Sequence, residues 1–245
     1  MRCTALDAAA RFRRDEAPLP PARLRFRVSE NPAAADFLAV GRATADNVEA
    51  AWATLGAPPA DGARVLDLGC GCARTLRFLA PRHPNLAWHG CDVDAEAIAW
   101  CRKNVPLVSF TVNSPLPPLP FPAEHFDVIF GISVFTHIDE SSQRAWLAEL
   151  HRVLKPGGWL LLTFYSEHVW RATEHAEAVA RGEFVFATSA KLKGLLPDWY
   201  QTALQNQDRI VQAWRAGFAE VKYLPRRFGD QDLCAGRKAQ GSGSM

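Results

Sequence analysis

Several features that would narrow the role of this 245-residue chain are missing from it. It lacks a long apolar run. The longest, 159–164, is broken by Thr163 and falls far short of the ~20 residues that cross a bilayer. It lacks an excess of either charge. The 28 Lys and Arg stand against 26 Asp and Glu, a net +2 that is scattered along the chain, so there is no electrostatic footprint for nucleic acid. It lacks a cysteine framework. The six cysteines (3, 70, 72, 91, 101 and 234) have no disulfide-type spacing, which points to a reduced, cytoplasmic setting. The Cys70/Cys72 pair has no complementary pair to complete a zinc site, so buried apolar thiols are expected and no metal. The opening MRCTALDAAARFRRDE has no apolar core of the kind a secretory signal carries. What remains is a globular chain, expected to be a monomer or homodimer, with neither nucleic acid nor membrane among its expected partners.

Hydrophobic periodicity then supplies a fold. Residues 1–30 are rich in Arg and Pro without a period, and read as a loose arm or cover. A helical pattern follows at 33–55, with Val48, Trp52 and Leu55 on one face, and Gly56 stops it. Strands and helices alternate from there: strands at 64–68, 86–91, 107–112, 126–131 and 159–164, with helices at 73–80, after Asp94, and at 139–155. Asp94 stands where a helix N-cap belongs. Trp146, Leu147, Leu150, Val153 and Leu154 form the apolar face of the last helix, and Pro156-Gly157-Gly158 turns the chain. Five strands with helical crossovers require a doubly wound, mostly parallel sheet. An aromatic and polar insert at 166–210 interrupts the alternation. Strand signals return at 218–224 and 232–236, giving a seven-stranded Rossmann-like α/β sheet whose last strand is antiparallel. The organisation expected is therefore an N-terminal arm and cover helix (1–55), a cofactor core (56–165), an insert over the substrate (166–210), closing strands (211–238) and a Gly/Ser tail.

Ligands of such sheets bind outside the carboxyl ends of the strands. The stretch VLDLGCGCAR (65–74) is a strand running into a glycine loop and a helix. Gly69 and Gly71 let backbone approach a ligand without a Cβ in the way. Asp92 ends the next strand, about 20 residues beyond, where an acid accepts hydrogen bonds from ribose hydroxyls. Asp67 chooses between ligands. A carboxylate repels a pyrophosphate but suits a cationic amino group and a sulfonium. Arg74 occupies the place of the third glycine in a dinucleotide fingerprint, which argues against NAD.

With these residues the sequence resembles the class I S-adenosylmethionine (SAM)-dependent methyltransferases over about 63–165. VLDLGCGCA matches that family's first motif, GCDVD (90–94) its second, and LAELHRVLKPGGWLLLTF its helix, turn and fifth strand. The resemblance implies SAM as cofactor. It puts Asp67, Gly69 and Gly71 near the methionine end and Asp92 on the ribose. Asn113 or Ser114 falls near the adenine, and the stretch FDVIFGISVFTH lines the pocket. Cys70 and Arg74 of the loop, Val93 after Asp92, and Ser133 complete the candidate cofactor set. VSENPAAADFLAVGR resembles the helical cover of small-molecule members, with Phe37 and Gly41 as candidates. Two departures stand out: Ala73 replaces the third glycine of the loop, and Asn113 stands where an acid is common.

Methyl transfer mainly requires alignment, and a hydroxyl or ammonium acceptor also benefits from a general base. His137, just after the fourth strand, is the candidate base. Tyr165, His168, Trp199 and Tyr200 are candidates for substrate contact. No Asn/Asp-Pro-Pro-Tyr follows the fourth strand and no Pro-Cys pair is present, so the family's nucleic-acid-modifying subtypes are not indicated. The reading is a SAM-dependent methyltransferase acting on a small molecule, most readily at O or N. The alternatives are a SAM-fold binding protein without catalysis and an NAD(P)-dependent oxidoreductase.

Overall fold

A computed structural model of the chain describes residues 17–187 and 200–241. The seven-stranded sheet has the order β3-β2-β1-β4-β5-β9-β8. Its strands are β1 (Arg64–Leu68), β2 (Ala87–Asp92), β3 (Val108–Val112), β4 (Phe126–Gly131), β5 (Leu154–Tyr165), β8 (Glu220–Phe228) and β9 (Gln231–Arg237). The chain divides into two compact units at Ser114/Pro115.

In the first unit, β1, β2 and β3 run parallel, with Leu66 opposite His89 and Gly90 opposite Phe110. The connections are α3 (Leu76–Arg82) and α4 (Ala95–Asn104), preceded by α1 (Ala22–Ser29) and α2 (Ala34–Leu55). Asp94 caps α4 as expected, accepting the N–H groups of Glu96 and Ala97. Parallel strands covered on both faces read as continuous apolar runs. Val65, Leu66 and Leu68 are accordingly buried.

Two details of this unit differ from the sequence reading. Residues 22–29 form a helix, not a loose arm. Its anchor is Arg25, fully buried, whose guanidinium donates to the carbonyls of Pro20 and Pro32. A buried arginine is the opposite of what an apolar period signals, so the pattern hid the helix. The helix after the glycine loop starts at Leu76 and not at residue 73, because Ala73 has φ +60° and cannot belong to a right-handed helix.

In the second unit, β4 and β5 are parallel, while β9 is antiparallel to both β5 and β8. Helix α5 (Glu140–Val153) is capped by Asp139. Strand β5 starts five residues earlier than the apolar run indicates, because Leu154 already pairs with Phe126 and a register shift precedes the Val128–Trp159 pair. The insert holds two short helices, α6 (Glu167–Arg171) and α7 (Ala176–Ala180), and a separate two-stranded antiparallel sheet of β6 (Val185–Ala187) and β7 (Thr202–Leu204). Trp170, Val179 and Leu204 form its own small core. Helix α8 (Gln207–Arg215) went unread in the sequence, although Asn206 caps it and Ile210 and Trp214 bury one face at i, i+4. Among the described residues no helix is long and apolar enough to cross a membrane.

Candidate functional site

Each unit keeps its chemistry-bearing residues at the carboxyl ends of its strands. In the first unit, β1 runs into a loop whose alternate residues, Gly69, Gly71 and Ala73, all have positive φ (+73°, +52° and +60°). The loop is pinned by Gly69 N–H and Cys70 N–H, both donating to Cys91 O at 2.8 and 3.0 Å. The acid at the end of β2 reaches back to it. Asp92 Oδ2 accepts Gly71 N–H at 2.7 Å, and Oδ1 accepts Asp94 N–H at 2.8 Å. Both oxygens are thus aimed by backbone, and each retains a lone pair for a further donor. Burial pushes the Asp92 carboxyl above its ordinary range, and the N–H groups of Asp94 and Gly71 pull it back. Asp67 is buried more deeply. Burial and then the neighbouring Asp92 charge push its carboxyl well above the carboxylate range, against the opposing charge of Arg74.

At the end of β3, Asn113 N–H donates to Asp92 O at 3.0 Å, and its Nδ2 donates to Ser114 O at 2.8 Å. Its Oδ1 is buried without a partner. A buried acceptor left unmade costs roughly 1–3 kcal/mol, so this oxygen is poised for a donor. Val93 and Val112, beside the two strand ends, are 40% and 39% exposed.

The missing Cβ of Gly71 serves a purpose the sequence did not disclose. A Cβ there would lie 2.4 Å from Val28 Cγ1 of α1. Helix α1 is seated on the loop by further contacts. Arg74 Nη1 donates to Val28 O at 2.9 Å, and Cys72 Sγ to Leu24 O at 3.6 Å. Arg27 meets Asp94 at 2.8 Å and Glu96 at 2.9 Å. Phe37 and Gly41 are packing residues in this structure. Phe37 is fully buried under the Arg77 guanidinium, and Gly41 lets α2 cross at Arg74 O and Phe78. Cys70, Cys72, Cys91 and Cys101 are buried and free, and burial raises all four thiols, that of Cys72 to about 12.

In the second unit, the loop after β4 carries Ser133 and His137. Ser133 has φ +61°. Its N–H donates to Thr163 Oγ1 at 2.8 Å, and its Oγ accepts from Gln231 Nε2 at 2.5 Å. His137 is buried, with Nδ1 at 3.0 Å from Gln201 O. Its ring stacks on Tyr200 at 4.0 Å and meets Tyr165 edge-on at 6.2 Å. Burial lowers its pKa to about 4, so the ring is neutral at pH 7. Three sequence-predicted residues, His137, Tyr165 and Tyr200, are therefore brought together. His168 is exposed and pairs with Asp230 at 2.9 Å. Trp199 lies outside the described residues. Gln201 and Gln231 escaped the sequence reading. Gln201 reaches His137 from just before β7 and Gln231 reaches Ser133 from the start of β9, placements that composition does not reveal.

A doubly wound sheet with a glycine loop after its first strand and acids ending the first two strands defines an α/β protein built for a nucleoside-bearing ligand. Residues 65–158 match the family model of a methyltransferase domain. Over that stretch the chain is similar to SAM-dependent methyltransferases. It is 32% identical to a fatty-acid O-methyltransferase of Mycolicibacterium smegmatis over 42% of this chain and 37% of the relative. It is 33% identical to phthiotriol/phenolphthiotriol dimycocerosates methyltransferase 1 of Mycobacterium ulcerans over 59% of this chain and 49% of the relative. The chain thus spans less than half the length of either. A crystal structure of a SAM-dependent methyltransferase from Methanosarcina mazei, 18% identical, shares the fold with a TM-score of 0.54 over 74% of this chain and 95% of that one.

Proposed function

We propose that this chain transfers a methyl group from SAM to an oxygen or nitrogen of a small-molecule acceptor, with His137 taking the acceptor's proton. The observation that carries the cofactor half is Asn113 Oδ1, a buried acceptor without a partner at the end of β3. An exocyclic adenine amine is the donor it suits. The lone pairs left on Asp92 suit ribose hydroxyls, and the exposed Val93 and Val112 offer apolar surface to a purine. Gly69, Cys70, Gly71, Arg74 and Ser114 complete the proposed set around these contacts, and Ser133 of the second unit is proposed as a further cofactor residue. A cationic ligand, unlike a pyrophosphate, would favour the charged form of the buried Asp67 carboxyl.

SAM bound there supplies an electrophilic methyl group on a sulfonium. The chain's own work is to orient and to move a proton. A neutral His137 whose Nδ1–H is donated to Gln201 O has its lone pair on Nε2, ready for the proton of a hydroxyl or amine. Tyr165, His168 and Tyr200 are the residues proposed to meet the acceptor. A cytoplasmic setting belongs to the same proposal and rests on the five free buried thiols among the described residues.

Titration calorimetry with SAM, S-adenosylhomocysteine and NAD tests the cofactor half. Binding of NAD without binding of SAM overturns it. Methyl-labelled SAM offered with a metabolite extract and, separately, with bulk tRNA tests the acceptor. Label entering tRNA alone overturns the small-molecule reading.

A further inference from the structure

The last residues of the insert run along the loop that carries His137. Gln201 N–H donates to His137 O at 3.2 Å, and Ala203 N–H to Thr136 O at 2.9 Å. Next along the chain, Gln205 Nε2 donates to Gln143 Oε1 at 2.8 Å. Gln143 Nε2 in turn donates to the carbonyls of Phe135 at 2.7 Å and Ile138 at 3.3 Å. Gln143 and Gln205 are both buried. The loop of residues 135–138 is therefore held along its length by a segment more than 60 residues further on.

His137 is held at its ring as well as its backbone. A carbonyl has no proton to give, so the Nδ1–Gln201 O contact is a hydrogen bond only while Nδ1 carries the proton. A neutral imidazole has one proton, and with Nδ1 protonated the lone pair is on Nε2. Among the described residues Nε2 has no protein partner. The Tyr200 ring lies 17° from parallel at 4.0 Å, which fixes the plane of the imidazole and covers one face. Among the described residues, the rings facing it are Tyr165 of β5 and Tyr200. Asp139, two residues on, turns its carboxylate to the hydroxyls of Ser141 and Ser142, at 2.5 and 2.7 Å. His168, from α6, is engaged with Asp230.

We infer that Tyr200 and Gln201 are positioning residues for His137, fixing the tautomer and ring orientation that leave Nε2 as the proton acceptor. This rests on the proposed role of His137 as the base. It adds that the base is assembled by two distant stretches, one after β4 and one at the end of the insert. Burial of the ring, which keeps it neutral, is supplied in part by Tyr200, so that removing this ring exposes the imidazole and raises its pKa.

The test is nitrogen-15 NMR of the full chain labelled at histidine, without added ligand. In the unaltered protein the His137 signals should show a proton on Nδ1 and none on Nε2 at pH 7, with a titration midpoint near 4. Tyr200→Phe keeps the stack and should leave the pattern in place. Tyr200→Ala should move the midpoint upward by about one pH unit or more and mix the tautomers. If Tyr200→Ala does not fold, Tyr200→Leu and the unaltered protein still decide. A proton on Nε2 in the unaltered protein, or an unmoved midpoint in both truncations, overturns the positioning role. His137→Asn keeps a donor for Gln201 O, and normal methyl transfer by that variant overturns the base role itself.

Discussion

Gly71→Ala is the substitution that most directly probes how the glycine loop is built. Two separate penalties meet there. Gly71 has φ +52°, where a side chain other than glycine costs roughly 1–2 kcal/mol. The new Cβ would also fall 2.4 Å from Val28 Cγ1, well inside contact distance. Overpacking of that kind costs about 1–3 kcal/mol, and Val28 is branched at Cβ and has little freedom to turn aside. The two together amount to about 2–5 kcal/mol, with the lower end reached if α1 lifts from the loop. Urea unfolding followed by tryptophan fluorescence measures the loss, with the full chain in each case. A double-mutant cycle with Val28→Ala separates the terms. Truncating Val28 removes the clash but leaves the φ penalty, so the double variant should recover at least about 1 kcal/mol relative to the sum of the singles. Strict additivity, within about 0.5 kcal/mol, would refute the reasoning. It would mean that α1 does not rest on the loop in solution.

Asp92→Ala removes the acceptor of two backbone N–H groups and the proposed ribose contact. SAM affinity by calorimetry should fall at least about tenfold, and unchanged affinity removes Asp92 from the site. Asn113→Ala should weaken S-adenosylhomocysteine by roughly five- to tenfold while leaving the denaturation midpoint nearly unchanged, because Oδ1 has no partner to lose and the Nδ2 bond to Ser114 O is an exposed one. His137 has a folded pKa near 4 against 6.5 unfolded, so its contribution to stability is full above 6.5 and is lost as pH falls toward 4. From pH 7 to 5 that loss is about 2 kcal/mol. The raised carboxyls of Asp67 and Asp92 act in the opposite sense, gaining stability as pH falls, so the comparison must be with His137→Asn, which should lack the histidine's share. Equal pH slopes for the two proteins would falsify the buried, neutral imidazole.

Most of the sheet was legible because parallel strands covered on both faces leave continuous apolar runs. The segments 64–68 and 126–131 coincide with β1 and β4 to the residue. The cap Asp94 was legible too, since capping is a local bond between a side chain and the next turn. What escaped depends on distant partners. Helix α1 has no apolar period. It is held by Arg25 on two proline carbonyls and by the Arg27 pairs with Asp94 and Glu96. The β6–β7 pair is three residues on each side, too short for a pattern. The same holds for the site. Asp92, Asn113 and His137 were visible as residues at strand ends. That Val28 fills the space above Gly71, and that Gln201 holds His137, could not be read from spacing.

Ala73 shows how far a motif can change without its geometry changing. With a glycine at this position the loop could turn left-handed at no steric cost. Alanine makes the same turn, φ +60°, at roughly 1–2 kcal/mol. Three observations explain why it stays there. Ala73 N–H donates to Cys70 O at 2.9 Å, and Ala73 O accepts Arg77 N–H at 3.2 Å, so both ends of the residue are fixed by the turn and by the start of α3. The methyl is fully buried, which returns about 0.8 kcal/mol. The departure from the glycine pattern is thus one of residue type and not of backbone path. A larger, β-branched residue gains no such balance, because branching at Cβ makes positive φ a true outlier. Ala73→Val should therefore lose more than about 2 kcal/mol in urea unfolding, and a loss below about 0.5 kcal/mol would mean that residue 73 is not left-handed in solution.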